Sequence, residues 1–184
     1  MTKVLGSNYE GMEWGEIWGY KIQGIYQTDA EAAARGVDQS FISSRFTNKA
    51  GDLIFEDIDG NHKINNGKGT LDDHGDLVKL GNTQARYHYG FSVNLSWYGV
   101  DMSMFWQGIG KRDWFPGSGT AAFWGFTDEW QTPLTTSLDY WTTENTGAYF
   151  PKLGWANRGN RTVSTRYLQN ASYCRLKNVT LGYT

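Results

Sequence analysis

From Arg86 to Trp97 apolar and polar residues alternate without a break. Tyr87, Tyr89, Phe91, Val93, Leu95 and Trp97 fall on one side of an extended chain, and His88, Gly90, Ser92, Asn94 and Ser96 on the other. Side chains along a strand point to opposite faces in turn, so this pattern predicts a strand over about 86–97. After Tyr98-Gly99 the pattern resumes, with Val100, Met102, Met104 and Trp106 against Asp101, Ser103 and Gln107, and Phe105 breaks it. That predicts a second strand over 100–108 and a tight hairpin between the two. Near the end, Val179, Leu181 and Tyr183 alternate with Asn178, Thr180 and Gly182, which predicts a strand over 172–184. Weaker patterns predict strands over 16–26 and 51–58. Two environments suit the hairpin. A soluble antiparallel sheet with one buried face alternates in this way, and so does a transmembrane β-barrel, whose strands cross the bilayer with ~9 to 11 residues.

Between these segments the signals change. Thr28 as N-cap, Glu31 three residues on, Ala32 to Ala34 and a stop at Gly36 predict a short surface helix. Residues 109–171 show no sustained alternation and predict a very long loop. Compact domains seldom carry irregular connections beyond ~12 to 15 residues, whereas outer-membrane barrels pair short turns on one side with long external loops. The expected fold class is mainly β: antiparallel strands of a large transmembrane β-barrel with long external loops. About five strands cannot close it, because the smallest membrane barrels have about eight. The 184 residues are therefore expected to form part of a barrel.

Composition narrows the partners. There are 17 Lys and Arg against 19 Asp and Glu, a formal charge of -2, so the basic excess that neutralises phosphates is missing and nucleic acid is not an expected partner. Mean hydropathy is -0.57, and no apolar run approaches the roughly 18 residues of a membrane helix. Cys174 is the single cysteine, which excludes an internal disulfide and a tetracysteine zinc site. Met1 to Glu10 lacks an apolar signal-peptide core, so a chain that leaves the cytoplasm is expected to be part of a longer precursor.

Two groups of residues could carry chemistry. Asp57, Asp59 and Asn61 stand at spacing two, followed by Lys63 and Asn65, like the first two-thirds of an EF-hand calcium loop. Alternating oxygen ligands in a tight loop suit a hard cation. Two positions depart from the pattern, because His62 replaces the usual glycine and Lys68 replaces the closing acid. A bulge over Asn66 to Thr70 would let Asp72, Asp73 or Asp76 close the site. The expectation is a structural Ca2+ held by Asp57, Asp59, Asn61, Asn65 and the Lys63 carbonyl with one of those three. The competing reading is an Asn- and Gly-rich acidic turn that needs no ion.

The second group is aromatic. Trp114, Phe115, Phe123, Trp124, Phe126, Trp130, Trp141 and Trp155 crowd into the predicted long loop, beside Asp128, Glu129, Asn145 and Arg158. Exposed rings could stack on sugars or hold peptide side chains; equally, they could form the loop's own core. Trp114, Phe115, Trp124 and Trp130 are the expected substrate-proximal residues, and Trp141 the expected structural one. His62, His74 and His88 fall in no zinc-helix motif, and there is no phosphate-binding loop or nucleophilic triad, so no enzyme is expected.

Blocks along the chain carry a family resemblance. They run Gly15-Glu16-Ile17-Trp18-Gly19-Tyr20, Gly24-Ile25-Tyr26-Gln27, and Gly51-Asp52-Leu53-Ile54-Phe55-Glu56-Asp57 into Asp59-Gly60-Asn61. Leu80-Gly81-Asn82, Tyr89-Gly90-Phe91 and Phe105-Trp106-Gln107-Gly108 follow. Then come Asp139-Tyr140-Trp141-Thr142, Glu144-Asn145, Tyr149-Phe150-Pro151-Lys152-Leu153, Arg166 to Tyr173, and Arg175 to Tyr183. In this order they resemble the C-terminal part of the barrel of SusC/RagA TonB-linked outer-membrane proteins. The resemblance implies a location in the cell outer membrane and active import of oligosaccharides or peptides. It also implies a SusD-like surface lipoprotein partner and, through segments not in this chain, the TonB complex. A soluble carbohydrate-binding β-sandwich with a structural calcium loop is the alternative.

Overall fold

The computed structural model describes residues 3–42, 48–125, 130–154 and 158–184. Its elements in chain order are β1 (Glu16–Gly19), β2 (Ile22–Ile25), α1 (Asp29–Ala34), β3 (Leu53–Phe55), β4 (Val78–Asn82), β5 (Tyr87–Trp97) and β6 (Val100–Gly110). These are followed by β7 (Asp113–Trp114), α2 (Ala121–Trp124), β8 (Gln169–Asn170) and β9 (Tyr173–Tyr183). The fold is mainly β. Its resolved pairings β2–β3, β5–β6, β6–β9 and β7–β8 are antiparallel, and none of its sheets closes into a barrel. The chain divides into two compact units, one of residues 1–12, 18–80 and 115–168, the other of 13–17, 81–114 and 169–184.

The first unit is organised by an aromatic core. Tyr20, Ile25, Leu53, Phe55, Ile64, Trp124, Trp141, Ala148, Phe150 and Tyr167 are buried together. β2 and β3 pair with a register shift between Ile22 and Gly24. The expected strand over 51–58 is cut to three residues because Asp57 begins a series of side-chain-capped turns. In α1 the Thr28 hydroxyl accepts from the Glu31 N–H at 3.1 Å, as expected for the cap, while the Glu31 carboxylate reaches back to the N–H of Gln27, one residue before the cap. Several buried polar groups inside this unit are matched, although the Ser164 hydroxyl finds no partner among the described residues. Asn160 accepts from Leu53 N–H and donates to Asp52, and Gln39 spans the backbone of Leu53 and Phe55.

The expected long loop over 109–171 is not without structure. β7, α2, β8 and short 3-10 turns at Thr135–Ser137, Arg158–Arg161 and Thr165–Tyr167 punctuate it. Its aromatics supply four of the ten buried residues of the first unit's core, Trp124, Trp141, Phe150 and Tyr167; Trp124 meets Tyr167 at 4.9 Å and Phe123 at 4.9 Å, both edge-on. Packing of its own rings is what orders a connection of this length.

The second unit is built around a three-stranded antiparallel sheet in the order β5-β6-β9. All three strands have 11 residues. They match the expected strands over 86–97, 100–108 and 172–184, with β6 extending two residues further. Tyr98 and Gly99, at φ 46 and 83, form the hairpin turn.

Candidate functional site

The register of the sheet sorts its residues into two faces, since residues opposite each other in antiparallel strands share a face. One face carries the rows Trp97–Val100–Tyr183, Leu95–Met102–Leu181, Val93–Met104–Val179, Phe91–Trp106–Leu176 and Tyr89–Gly108–Cys174, with Tyr87 opposite Gly110 at the end. The other face carries Ser96–Asp101–Gly182, Asn94–Ser103–Thr180, Ser92–Phe105–Asn178, Gly90–Gln107–Arg175 and His88–Ile109–Tyr173. A bulge at Phe105/Trp106 inserts Lys177 and keeps β9 in phase on both sides of it. The first face is apolar across all three strands. The second is largely polar.

Both faces are exposed. Along β5 every residue but Val93 is open to the surroundings, and along β9 every residue but Tyr173. Leu95 is 52% and Leu181 70% exposed. The apolar face is also layered. Leu95, Met102, Leu181, Val93, Met104 and Val179 make an aliphatic middle, with Trp97 and Tyr183 at one end and Phe91, Trp106, Tyr89 and Tyr87 at the other. Phe91 and Trp106 stack across the strands at 6.1 Å and 9°. Tyr89 lies over Gly108, where a Cβ would collide with its ring, and its hydroxyl donates to the Tyr173 carbonyl at 3.2 Å. On the polar face Phe105, Ile109 and Tyr173 are the exceptions; Phe105 rests where Gly90 leaves room.

Strands of 11 residues extend about 37 Å, and at a tilt of about 45° they cover about 26 Å, close to the ~25 Å apolar band of a barrel. Aromatic residues at both ends of an aliphatic band are the pattern of a bilayer-facing surface.

The acidic loop lies in the first unit. Carboxylate oxygens of Asp57, Asp59 and Asp76 come within 4.8 Å of one another. Asp76 is fully buried and accepts from Ile58 N–H at 2.8 Å and Asn65 N–H at 2.9 Å. Asp57 accepts from the N–H groups of Gly60 and His62, Asp59 from that of Asn61, Asn61 Oδ1 from Lys63 N–H, and Asn65 Oδ1 from Gly67 N–H. Burial works to raise the Asp57 carboxyl's pKa, but these N–H groups outweigh it and hold the group below its ordinary value. Beside the cluster, burial and then the charge of Asp76 push Tyr20 up to about 12.

Of the three expected closing acids, Asp76 joins the group. Asp72 instead pairs with Lys3 at 2.7 Å and Asp73 stands 3.9 Å from Lys68. His62, in the position glycine usually fills, takes φ 61, the left-handed turn that glycine would supply. The three carboxylates offer oxygen, the donor a hard cation takes; of the other expected ligands, Asn61 and Asn65 Oδ1 accept from backbone N–H groups and the Lys63 carbonyl accepts from the Asn65 amide.

The aromatic candidates separate. Trp124 is buried, its Nε1 donating to the Gly117 carbonyl at 2.9 Å, and Phe115 packs beside it at 6.4 Å. Trp141 is buried too, donating to Gln27. Trp114 on β7 is half-exposed and Trp130 is 87% exposed. Among the described candidates the outward rings are thus Trp114 and Trp130. Phe126, Asp128, Glu129 and Trp155 lie outside the described residues. The joining of β9 to β6 escaped the sequence reading, since pairing at that separation leaves no local mark. Scans against protein-family models and against curated proteins find no match for the chain.

Proposed function

We propose that this chain is part of the wall and external loops of a transmembrane β-barrel of the SusC/RagA type in the cell outer membrane. The barrel imports oligosaccharides or peptides, driven by the TonB complex, with a SusD-like lipoprotein over its external face. One observation carries the membrane part: a sheet of three 11-residue strands with an exposed apolar face banded by aromatics and an exposed polar face behind it. In water such a face would draw a covering layer, and a sandwich would bury Leu95 and Leu181 instead of exposing them. In a bilayer the lipid is the covering layer, and the polar face lines the lumen. The cargo and partners rest on the ordered resemblance of the blocks. The acidic loop, in this reading, takes a structural Ca2+ that pins an external loop.

The test is a pair of substitutions in the intact protein. Val93→Arg, at the middle of the apolar face, is expected to impair assembly by about 2–4 kcal/mol, and Asn94→Arg on the opposite face by far less. Equal effects would remove the assignment of faces.

A further inference from the structure

Phe105 is an apolar ring among polar neighbours. It lies between Ser92 and Asn178 in its row on the polar face of the sheet and stays 42% exposed. The ring leans across to Gly90 on β5, where a Cβ would stand 3.3 Å from it. The next row, Gly90–Gln107–Arg175, carries no side chain from β5, and its Gln107 and Arg175 are both exposed.

Arg175 is held in place but not neutralised. Its guanidinium lies over the Tyr173 ring at 5.0 Å. Stacking fixes the plane of the group and leaves the N–H donors along its edge free, the fork that takes a carboxylate through two parallel bonds. Among the described residues no carboxylate pairs with it. The other charge in these rows is Asp101, three rows toward the turn. At ~3.4 Å per residue that is about 20 Å away, well beyond a screening length of about 8 Å. The end of the face away from the turn is therefore cationic. Lys111 and Arg112 follow at that end, where Glu13 is taken by Arg86 and Asp113 accepts from the Asn82 N–H.

We propose that Phe105, Gln107 and Arg175 form a subsite for a uronic-acid residue of an oligosaccharide: the sugar's C–H face stacks on the Phe105 ring, its carboxylate takes the Arg175 edge, and the Gln107 amide binds a hydroxyl. The inference rests on the proposed transport function, in which this face lines the lumen, and narrows the cargo to carboxylate-bearing glycans. An apolar ring beside an amide and a guanidinium matches a pyranose, which presents a C–H face, hydroxyls and the acid together. An acidic peptide would use the charge alone.

The intact protein is applied to an array carrying oligosaccharides of galacturonate, glucuronate and mannuronate, the same sugars with their carboxyls reduced to alcohols, and oligoglutamate peptides. Uronates are expected to be held over their reduced counterparts by about tenfold or more, the worth of a charge-assisted hydrogen bond. Arg175→Gln should erase that preference while leaving binding of the reduced sugars unchanged, which a merely structural arginine would not do. Phe105→Ala should weaken both kinds of sugar alike, and Phe105→Tyr should restore them. No retention of uronates, no preference for them, or a preference that survives Arg175→Gln overturns the subsite. Retention of oligoglutamate as strong as that of the uronates overturns it too. In those cases a damaging Val93→Arg beside a tolerated Asn94→Arg leaves the lipid-facing sheet standing. Equal effects of that pair on assembly overturn both.

Discussion

Aromatic residues in the two units live in opposite surroundings. In the first unit Phe123, Trp124, Phe150 and Tyr167 close on one another edge-on or stacked, and Trp124 and Tyr167 are almost inaccessible. In the second, Tyr87, Phe91, Trp97 and Tyr183 stand outward from a sheet that keeps both faces open. A domain that folds around its own rings needs no other partner for them. A sheet whose rings face out in rows leaves them without protein cover among the described residues, and in the proposed function a bilayer supplies it.

The comparison can be broken most forcefully inside the aromatic core. Trp124→Ala is expected to cost about 3–5 kcal/mol of stability, read as a shift in chemical unfolding of the intact protein, because a full aromatic volume is left empty. Leu95→Ala on the exposed face leaves no such cavity and should cost well below that in vesicles. Similar losses at the two sites would mean that the sheet face is covered by protein.

The next effect separates the loop tryptophans. Under the proposed function, Trp114→Ala and Trp130→Ala, with rings directed outward, are expected to weaken binding of the proposed oligosaccharide or peptide cargo by about 1–3 kcal/mol while leaving thermal stability unchanged. Trp141→Ala should do the reverse. Unchanged affinity in the first two, with normal assembly, would place the cargo on residues outside this pair.

The acidic loop gives an effect of similar size. Calcium at a hundredfold excess over its dissociation constant would stabilise by about 2.7 kcal/mol, and Asp57→Ala or Asp59→Ala should abolish that gain. Asp72→Ala, which removes only an exposed pair with Lys3, should leave it intact. A melting temperature indifferent to calcium would reduce the loop to its side-chain-capped turns.

Smallest is an alkaline effect confined to the first unit. Tyr20 is raised from 10.0 to about 12, so its neutral form is favoured in the folded state. The corresponding stability is complete below pH 10 and is lost as pH rises through about 12, which denaturation at stepped pH would follow. Tyr20→Phe should flatten that loss.

How much of this was legible beforehand depended on the range of the interactions. Strict alternation exposes β5, β6 and β9 because strand periodicity is local, and Thr28 with Glu31 marks α1 for the same reason. The aromatic cluster was visible as composition, but its division into inward Trp124 and outward Trp130 was not, since it depends on Tyr167 and Phe150 arriving from later in the chain. Similarly, Asp57 and Asp59 announce an acidic turn at spacing two, while choosing Asp76 over Asp72 and Asp73 requires knowing that Lys3 and Lys68 attract the others.

The central claim is that the two faces of the β5-β6-β9 sheet meet different solvents, and single-cysteine scanning tests it most directly. In a Cys174→Ser background of the intact protein in vesicles, Phe91 to Ser96 are replaced one at a time by cysteine and labelled with a nitroxide. Labels at 91, 93 and 95 are expected to collide with oxygen dissolved in lipid and to be shielded from a water-soluble relaxation agent. Labels at 92, 94 and 96 should show the opposite. Water-soluble access at all six positions, or no alternation between neighbours, would contradict the account.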